Sequence, residues 1–211
     1  MTFGTMKTRI ANEMKRGELS AGATAVQDSI LSAIKHLERR RFTWNEFSDA
    51  TATASANVSY IPFTQLPITP LSIDTATIIL NGQRYMLDEK NWKDIEAIDS
   101  TLTSGNPDWY AIHGRSIRVY PQPNADFALI LSGVKKLTDI SANAASSASN
   151  AWMEDGEELV RLTAKAMLFR DQLRAPEQAQ YFQVEAAKVQ RELQRETAAM
   201  TGSGHIRGRF Y

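Results

Sequence analysis

The spacing of apolar residues changes twice along the chain, and this change constrains the fold more than any other feature. Near both ends, apolar residues recur at steps of three and four, whereas between about 47 and 149 they alternate with polar residues in short runs. The first spacing is typical of helices that bury one face, and the second is typical of strands. Two helical segments on either side of a β-rich segment cannot form an alternating βαβ array. The sequence therefore predicts an α+β fold.

The helical segments lie at the two ends of the chain. Helices are predicted over 2–15 and about 23–41, then from near Trp152 to the break at Ala175-Pro176, and finally over about 176–199. On the last helix, the predicted apolar stripe consists of Tyr181, Val184, Val189 and Leu193. Because each helix must bury its stripe, we expect helices from the two ends to form one bundle.

The middle of the chain carries the strand and turn signals. Asn81-Gly82 between apolar runs is a strong hairpin signal, and His113-Gly114-Arg115 marks a second turn. A short helix over 88–98 is predicted to open at Asp88. Because hairpins join neighbouring strands, the sheet is predicted to be mainly antiparallel. The predicted strands are 50–54, 58–61, 73–80, 83–87, 109–112, 116–120 and 127–134.

These segments predict three parts of the chain. Residues 1–46 and 150–200 are predicted to form a helical bundle domain, and 47–149 an inserted β-rich domain. Apolar residues show no regular spacing in 201–211, and we interpret this segment as an extended C-terminal arm. No stretch reaches the roughly 18 apolar residues of a membrane helix, so we expect the protein to stay in the cytosol or to leave it within a larger assembly.

Motifs for catalysis and metal binding are absent from the sequence. The chain has no cysteine, which excludes disulfides, thiolate nucleophiles and Cys-based zinc sites. His36, His113 and His205 lie far apart without the spacing of metal ligands. The sequence also lacks a Gly-x-Ser-x-Gly or Gly-Lys-Ser/Thr motif. We therefore predict no catalytic, cofactor-binding or metal-binding residues, and no cofactor.

One acidic cluster could supply a pair of catalytic carboxylates. It comprises Glu154, Asp155, Glu157 and Glu158. Two carboxylates suffice for glycan cleavage, so a hydrolase that uses Glu157 and Glu158 remains an alternative. Carboxylates in the first turns of a helix also stabilise the helix dipole, and this explanation is favoured here because no apolar pocket is indicated that would raise one pKa.

Positive charge is local, because the chain has 24 Lys and Arg against 24 Asp and Glu and thus no net charge. One basic spot lies at the predicted end of the second helix, where arginines favour the helix dipole. Arginines beside aromatic rings can contact DNA, but the same set makes an ordinary protein interface, which we favour. The residues of this candidate subunit or channel contact are Arg39, Arg40, Arg41, Phe42 and Trp44.

The arm is the second basic spot. Its glycines permit close backbone approach, its arginines supply charge-assisted donors, and its apolar residues can anchor it on a partner. We therefore interpret it as a segment that becomes ordered on a partner protein, with a frayed terminus as the alternative. The candidate binding residues are Gly202, Gly204, His205, Ile206, Arg207, Gly208, Arg209, Phe210 and Tyr211.

A set of motifs in a fixed order resembles the head-to-tail adaptor, or head completion, proteins of tailed phages, especially those with short tails. The resemblance spans nearly the whole chain. Its residues lie in 5–11 (TMKTRIA), 30–42 (ILSAIKHLERRRF), 45–46 (NE), 105–112 (GNPDWYAI), 117–121 (IRVYP), 150–160 (NAWMEDGEELV) and the Gly-rich arginine tail.

The resemblance implies a structural virion protein of the phage neck that is assembled in the host cytoplasm. Such proteins form a ring, usually of twelve copies, beneath the portal protein, and they extend the channel through which packaged DNA passes. The resemblance further implies that the arm docks on the portal and that the β-rich part meets tail or nozzle proteins. We expect the free subunit to be a monomer until the portal offers a template.

Two other functions remain open from the sequence. The first is a DNA-contacting packaging accessory protein that uses Arg39–Arg41. The second is the cell-wall glycan hydrolase, an activity linked to some relatives, although no residue pattern here matches it.

Overall fold

The structure is a computed structural model that describes residues 1–14, 24–98, 103–140 and 147–200. Six α-helices lie in these residues: α1 (Phe3–Met14), α2 (Thr24–Leu37), α3 (Trp92–Ile98), α4 (Ala151–Glu154), α5 (Glu157–Asp171) and α6 (Pro176–Met200). The strands are β1 (Glu46–Ala54), β2 (Tyr60–Pro62), β3 (Thr69–Leu80), β4 (Gln83–Glu89), β5 (Ser104–Gly105), β6 (Trp109–His113), β7 (Ser116–Tyr120), β8 (Gln122–Pro123) and β9 (Phe127–Lys136). The predicted α+β fold, with helices from both ends flanking a β region, is confirmed.

The chain divides into two compact units. A helical unit contains Met1–Asn45 and the chain from Leu137 onward, and a β unit contains Glu46–Lys136. The segments 15–23 and 201–211 lie outside the described residues, so the predicted end of the first helix and the predicted arm are not described.

Helices from the two ends of the chain share one apolar core in the helical unit. Phe3, Met6 and Ile10 of α1 are fully buried with Ile30 of α2 and Leu168 of α5. These residues recur at steps of three and four along their helices, which places them on one face each. Burial of these faces, at roughly 25 cal/mol per Å² of apolar surface, is what holds the helices together.

The buried face of α6 differs from the predicted stripe. Tyr181 is 61% exposed and Val184 is 50% exposed, so the prediction for these two residues is wrong. The packed line consists of Ala179, Phe182, Ala186, Val189 and Leu193, which also has helical spacing. Small alanines allow α6 to approach α5 closely, and this close approach selects the face that contains them.

The second helix ends earlier than predicted. Helix α2 stops at Leu37, and Glu38–Arg40 form a turn, so the arginines follow the helix instead of ending it. The buried side chain of Asn45 holds this turn, since its Oδ1 accepts from Phe42 N at 2.8 Å and its Nδ2 donates to Arg40 O at 2.7 Å. These bonds satisfy backbone groups that a longer helix would have satisfied.

The helix predicted from Trp152 is divided into two. Asn150 caps α4 by accepting from Trp152 N at 3.1 Å, and the chain turns at Asp155-Gly156 before α5 begins. Helix α5 ends at Asp171, so Leu173 lies beyond it. Gly156 permits the turn because a Cβ there would lie 3.1 Å from Trp152 Cε3 and 3.2 Å from Trp44 Cζ2.

The β unit contains a seven-stranded sheet in the order β1-β9-β3-β4-β6-β7-β2. All neighbours are antiparallel except β4 and β6, which are parallel, as are the two strands of the small sheet β5-β8. Alternate residues face the core, where Ile78, Leu129 and Val119 are fully buried. The prediction of a mainly antiparallel sheet is confirmed.

Both predicted hairpins are present. Leu80 pairs with Gln83 across Asn81-Gly82, and both turn residues have positive φ, 51° and 77°. The second hairpin joins β6 to β7 through Gly114-Arg115, which also have positive φ. Such two-residue turns match the right-handed twist of the strands they join.

The short helix α3 begins later than predicted. Strand β4 extends through Asp88, whose backbone pairs with Trp109 of β6. Asn91 instead caps α3, because its Oδ1 accepts from Lys93 N at 3.0 Å. None of the helices in the described parts of the chain is long and apolar enough to cross a membrane.

Candidate functional site

The basic turn that follows α2 is defined here as Arg39–Arg41. Arg39 and Arg41 are exposed, whereas Arg40 is half-buried and donates from Nη1 to Oε1 of Gln190 on α6. The turn is fixed from the other side as well, because Thr43 N donates to Thr197 Oγ1 at 3.1 Å. Two guanidinium groups are therefore presented outward from a backbone that α6 holds in place.

The two aromatic residues beside the turn belong largely to the core. Phe42 is fully buried and stacks on Trp44 with ring centroids 4.7 Å apart. Trp152 meets both rings edge-on at 5.6 Å. Buried aromatic pairs of this kind stabilise packing by about 0.5–1.5 kcal/mol beyond the area they bury. A buried Phe42 cannot stack on a base, so the exposed part of this candidate contact is Arg39 and Arg41.

A charged cluster joins α1 to α5 on the helical unit. Arg161 donates to both oxygens of Glu13 at 3.0 and 2.9 Å, and Lys165 Nζ contacts the same carboxylate. Arg9 contacts Glu13 at 3.0 Å and Glu157 at 2.7 Å. Burial alone would raise the pKa of Glu13, but hydrogen bonds and positive charge from Lys165 and Arg161 outweigh it and lower the pKa to about 2.

The two carboxylates of the hydrolase alternative lie in or near this cluster. Glu157 is ion-paired to Arg9 at 2.7 Å and lies 3.5 Å from Arg161 Nε. Glu158 is 62% exposed, with its nearest cation, Arg161, at 3.9 Å. A glycosidase acid needs an apolar environment that favours its protonated form, whereas Glu157 faces two cations. The Glu157–Arg9 ion pair links α5 to α1, whereas the Glu158–Arg161 contact lies within α5.

The histidines do not come together. His36 is exposed on α2, His113 stacks on Trp92 with centroids 4.1 Å apart in the β unit, and His205 lies outside the described residues. Among the residues that the structure describes, no group of three or more His, Cys, Asp or Glu side chains could hold a metal ion.

The arm residues Gly202, Gly204, His205, Ile206, Arg207, Gly208, Arg209, Phe210 and Tyr211 lie outside the described residues. The structure therefore adds nothing to their proposed role, which stays a prediction.

An acidic groove along α6 was not singled out from the sequence. It has a volume of about 440 Å³, and half-buried Val189 and Leu193 are among the residues that line it. The spacing of Glu192 and Glu196, four residues apart on one helix face, is a signal that could have indicated it. The residues lining this groove are Glu158, Val189, Glu192, Leu193, Arg195 and Glu196.

A second interaction missed from the sequence lies in the β unit. Arg118 of β7 is 4% exposed, contacts Glu96 of α3 at 2.7 Å and lies over the Tyr60 ring at 4.9 Å. Tyr60 donates its hydroxyl to the same Glu96 oxygen at 2.6 Å. Burial and this bond raise the pKa of Tyr60. The three side chains fix α3 over the β2–β7 edge of the sheet.

Comparison with family models finds a match to the SU10 adaptor protein over residues 1–207. Comparison with curated proteins finds no match. The matched family is one of structural phage proteins, head-to-tail adaptors, and not an enzyme family. The resemblance predicted from the order of motifs is confirmed, and the chain belongs to the SU10 adaptor protein family.

Proposed function

We propose that this adaptor assembles as a ring, usually of twelve copies in the proteins it resembles, beneath the portal protein. The ring extends the channel through which packaged DNA passes and provides the attachment surface for tail or nozzle proteins. The observation that carries this proposal is the family match over residues 1–207, which covers both units. The protein is assembled in the host cytoplasm and occupies the neck of the virion, at the portal–tail junction.

The helical unit is the proposed body of the ring. Its core joins helices from both ends of the chain, and the Glu13 cluster adds ion pairs between α1 and α5. A subunit that must keep its neighbours in register benefits from such a rigid body. The DNA passes through the channel without sequence selection, and because the chain has no net charge it does not as a whole attract the phosphates.

The β unit is the proposed surface for tail components. Its β3–β4 hairpin presents Tyr85, 46% exposed, and Met86, 68% exposed, beside the Asn81-Gly82 turn. Exposed aromatic and methionine side chains are enriched where proteins meet. Strand β4 is exposed on nearly every residue, which leaves room for a partner on this hairpin.

The arm, Gly202–Tyr211, is the proposed portal contact. Arg207 and Arg209 can donate bidentate hydrogen bonds to carboxylates, while Phe210 and Tyr211 supply apolar anchors at the chain end. A segment of this composition binds by ordering on its partner, and the affinity comes from a few anchor residues.

Removal of the arm tests this assignment. We expect a chain lacking residues 202–211 to lose portal binding, measured by co-sedimentation with the portal ring of the same phage. The matched control replaces the same residues with a Gly-Ser sequence of equal length, which keeps the reach and removes the anchors, and it too should fail to bind. Portal binding by the truncated chain at the level of the full chain would show that the arm is not the portal contact.

A further inference from the structure

The two flanks of α6 carry opposite charge. With about 3.6 residues per turn, the buried line through Ala179, Ala186 and Thr197 separates two sides of the helix. Gln190 lies on one side, where it accepts from Arg40 of the basic turn. Glu192 and Glu196 lie on the other side, along the acidic groove.

The basic flank presents cations from a fixed position. The basic turn has three arginines, and the preceding residue, Glu38, adds one half-buried carboxylate. The net charge of these four residues is plus two. Arg39 and Arg41 are both exposed, and Arg40 fixes the turn by donating to Gln190 of α6. His36 lies beside Arg40 along the neighbouring cleft between α2, α5 and α6.

The acidic flank presents carboxylates above apolar side chains. Three carboxylates and one guanidinium line the groove, so its net charge is minus two. Glu158 has its nearest cation, Arg161, at 3.9 Å, and within the described residues Glu192 and Glu196 make no ion pair. Val189 and Leu193, which also line the groove, offer apolar surface on which the methylene stem of an arginine can pack.

We propose that the acidic groove of one copy receives the basic turn of the next copy, and that this contact joins neighbouring subunits of the ring. The inference builds on the ring proposed above. A closed ring of identical subunits needs two different, complementary surfaces on each subunit. The plus-two turn and the minus-two groove on opposite flanks of α6 meet this requirement.

Charge favours a second copy over DNA as the occupant. Carboxylates repel phosphates, so nucleic acid is excluded from the groove itself. The turn alone exposes two guanidinium groups, too few for the six to ten phosphate contacts typical of strong DNA binding. Guanidinium groups instead form paired hydrogen bonds with carboxylates, which fix the orientation of one subunit against the next.

Charge reversal on each flank tests the contact. One variant carries Glu192→Arg and Glu196→Arg, and the other carries Arg39→Glu and Arg41→Glu, both in the full chain. Each variant alone places like charges at every junction, so we expect the assembled fraction on portal, counted by electron microscopy, to fall at least about tenfold. The chain with all four substitutions restores opposite charges at every junction and should assemble again.

Mixing the two variants gives a sharper result. In an alternating ring with an even number of copies, the arginine turn of one variant meets the glutamate groove of the other, and the reverse holds at the next junction. An equal mixture should therefore recover ring formation that neither variant shows alone. General misfolding cannot produce this recovery, because two misfolded chains do not repair one another.

Reversals elsewhere serve as controls. Glu177→Arg at the start of α6 and Lys93→Glu on α3 reverse charges at exposed positions that belong neither to the groove lining nor to the basic turn, and they should assemble like the wild type. Far-ultraviolet circular dichroism checks the fold of every variant. If the double substitution in the turn impairs folding, Arg39→Glu alone is paired with Glu196→Arg, and recovery on mixing is again the expected result.

The outcomes separate this contact from the ring itself. Normal assembly of both double variants, while the wild type forms rings, would overturn the contact and leave the ring in place. Loss of assembly by the groove variant alone, with the turn variant unaffected, would also overturn it, because the groove would then hold another segment such as the arm. If the wild type forms no ring on the portal, the proposed function fails and this contact fails with it.

Discussion

Glu13 is the carboxylate on which the basic side chains of the helical unit converge. Lys165 is buried beside it and Arg161 binds both of its oxygens. We expect Glu13→Gln to lower the free energy of unfolding by about 1–2 kcal/mol at neutral pH, since it leaves the Lys165 ammonium without its charge partner. This is less than the full pKa shift would give, because solvent screens a carboxylate that is partly exposed. Urea unfolding followed by circular dichroism measures the change.

The pH dependence of the difference in unfolding free energy between wild type and Glu13→Gln identifies the cause of that difference. The pKa of Glu13 is about 2 in the folded protein against 4.5 for the ordinary group. A lowered pKa contributes stability that is complete above about pH 4.5 and is lost as the pH falls towards 2. The gap between wild type and Glu13→Gln should therefore narrow over this window, whereas Glu177→Gln at an exposed position should show no such narrowing. A gap that is the same at about pH 3 as at about pH 7 would assign the effect to packing.

At the scale of single residues, the sequence predicted neither burial nor partnership reliably. It grouped Phe42 with Arg39 and Arg41 in one candidate contact, yet Phe42 is fully buried whereas the two arginines are exposed. It did not pair Glu13 with Lys165 or Glu96 with Arg118, because these partners lie on elements whose packing no local pattern specifies. The role of Asn45 was not predicted either, since its hydrogen bonds depend on where the backbone of Arg40 turns.

Strand β9 contains a glycine at which a side chain would collide with the backbone of β3. It lies between β1 and β3, and Gly133 pairs with Phe47 on one side and Ile73 on the other, where both registers shift. A Cβ on Gly133 would overlap the carbonyl oxygen of Ser72, a backbone atom that cannot move aside. We expect Gly133→Ala to destabilise the β unit by roughly 3 kcal/mol or more, measured by urea unfolding.

Gly105→Ala is the matched control for this prediction. A Cβ there would lie 3.6 Å from Pro121 Cβ, which is an ordinary van der Waals distance. The control should change stability by less than about 0.5 kcal/mol. Equal effects of the two substitutions would mean that the close approach of β9 to β3 does not determine the stability of the sheet.

Elements with strong local signals were predicted, and those set by packing were not. The Asn81-Gly82 turn gave the β3–β4 hairpin because only certain residues accept positive φ. The end of α2 at Leu37 depends on the hydrogen bonds of Asn45, and the break at Gly156 depends on the Trp44–Trp152 packing. The spacing of apolar residues alone reveals neither. The exposed Tyr181 on α6 shows the same limit, since two apolar stripes of helical spacing competed for one buried face.

At the scale of the molecule, the change of hydrophobic period was enough to predict the fold class. It indicated two helical segments around a β-rich one, and the chain passes between the two compact units at Asn45/Glu46 and at Lys136/Leu137. The strand order was beyond the sequence, because the parallel pairing of β4 with β6 follows from the position of α3 between them. The family was reached through the order of motifs, and the family match confirms it.

Ring assembly on the portal is the property of the whole molecule on which its proposed role depends. Native mass spectrometry of the adaptor alone and mixed with the portal of the same phage measures it directly. We expect a monomer alone and, in the mixture, a portal ring that carries one adaptor ring, twelve copies if the stoichiometry of the proteins it resembles holds. A portal that retains no adaptor, or only one or two copies at saturating concentration, would contradict the proposed function.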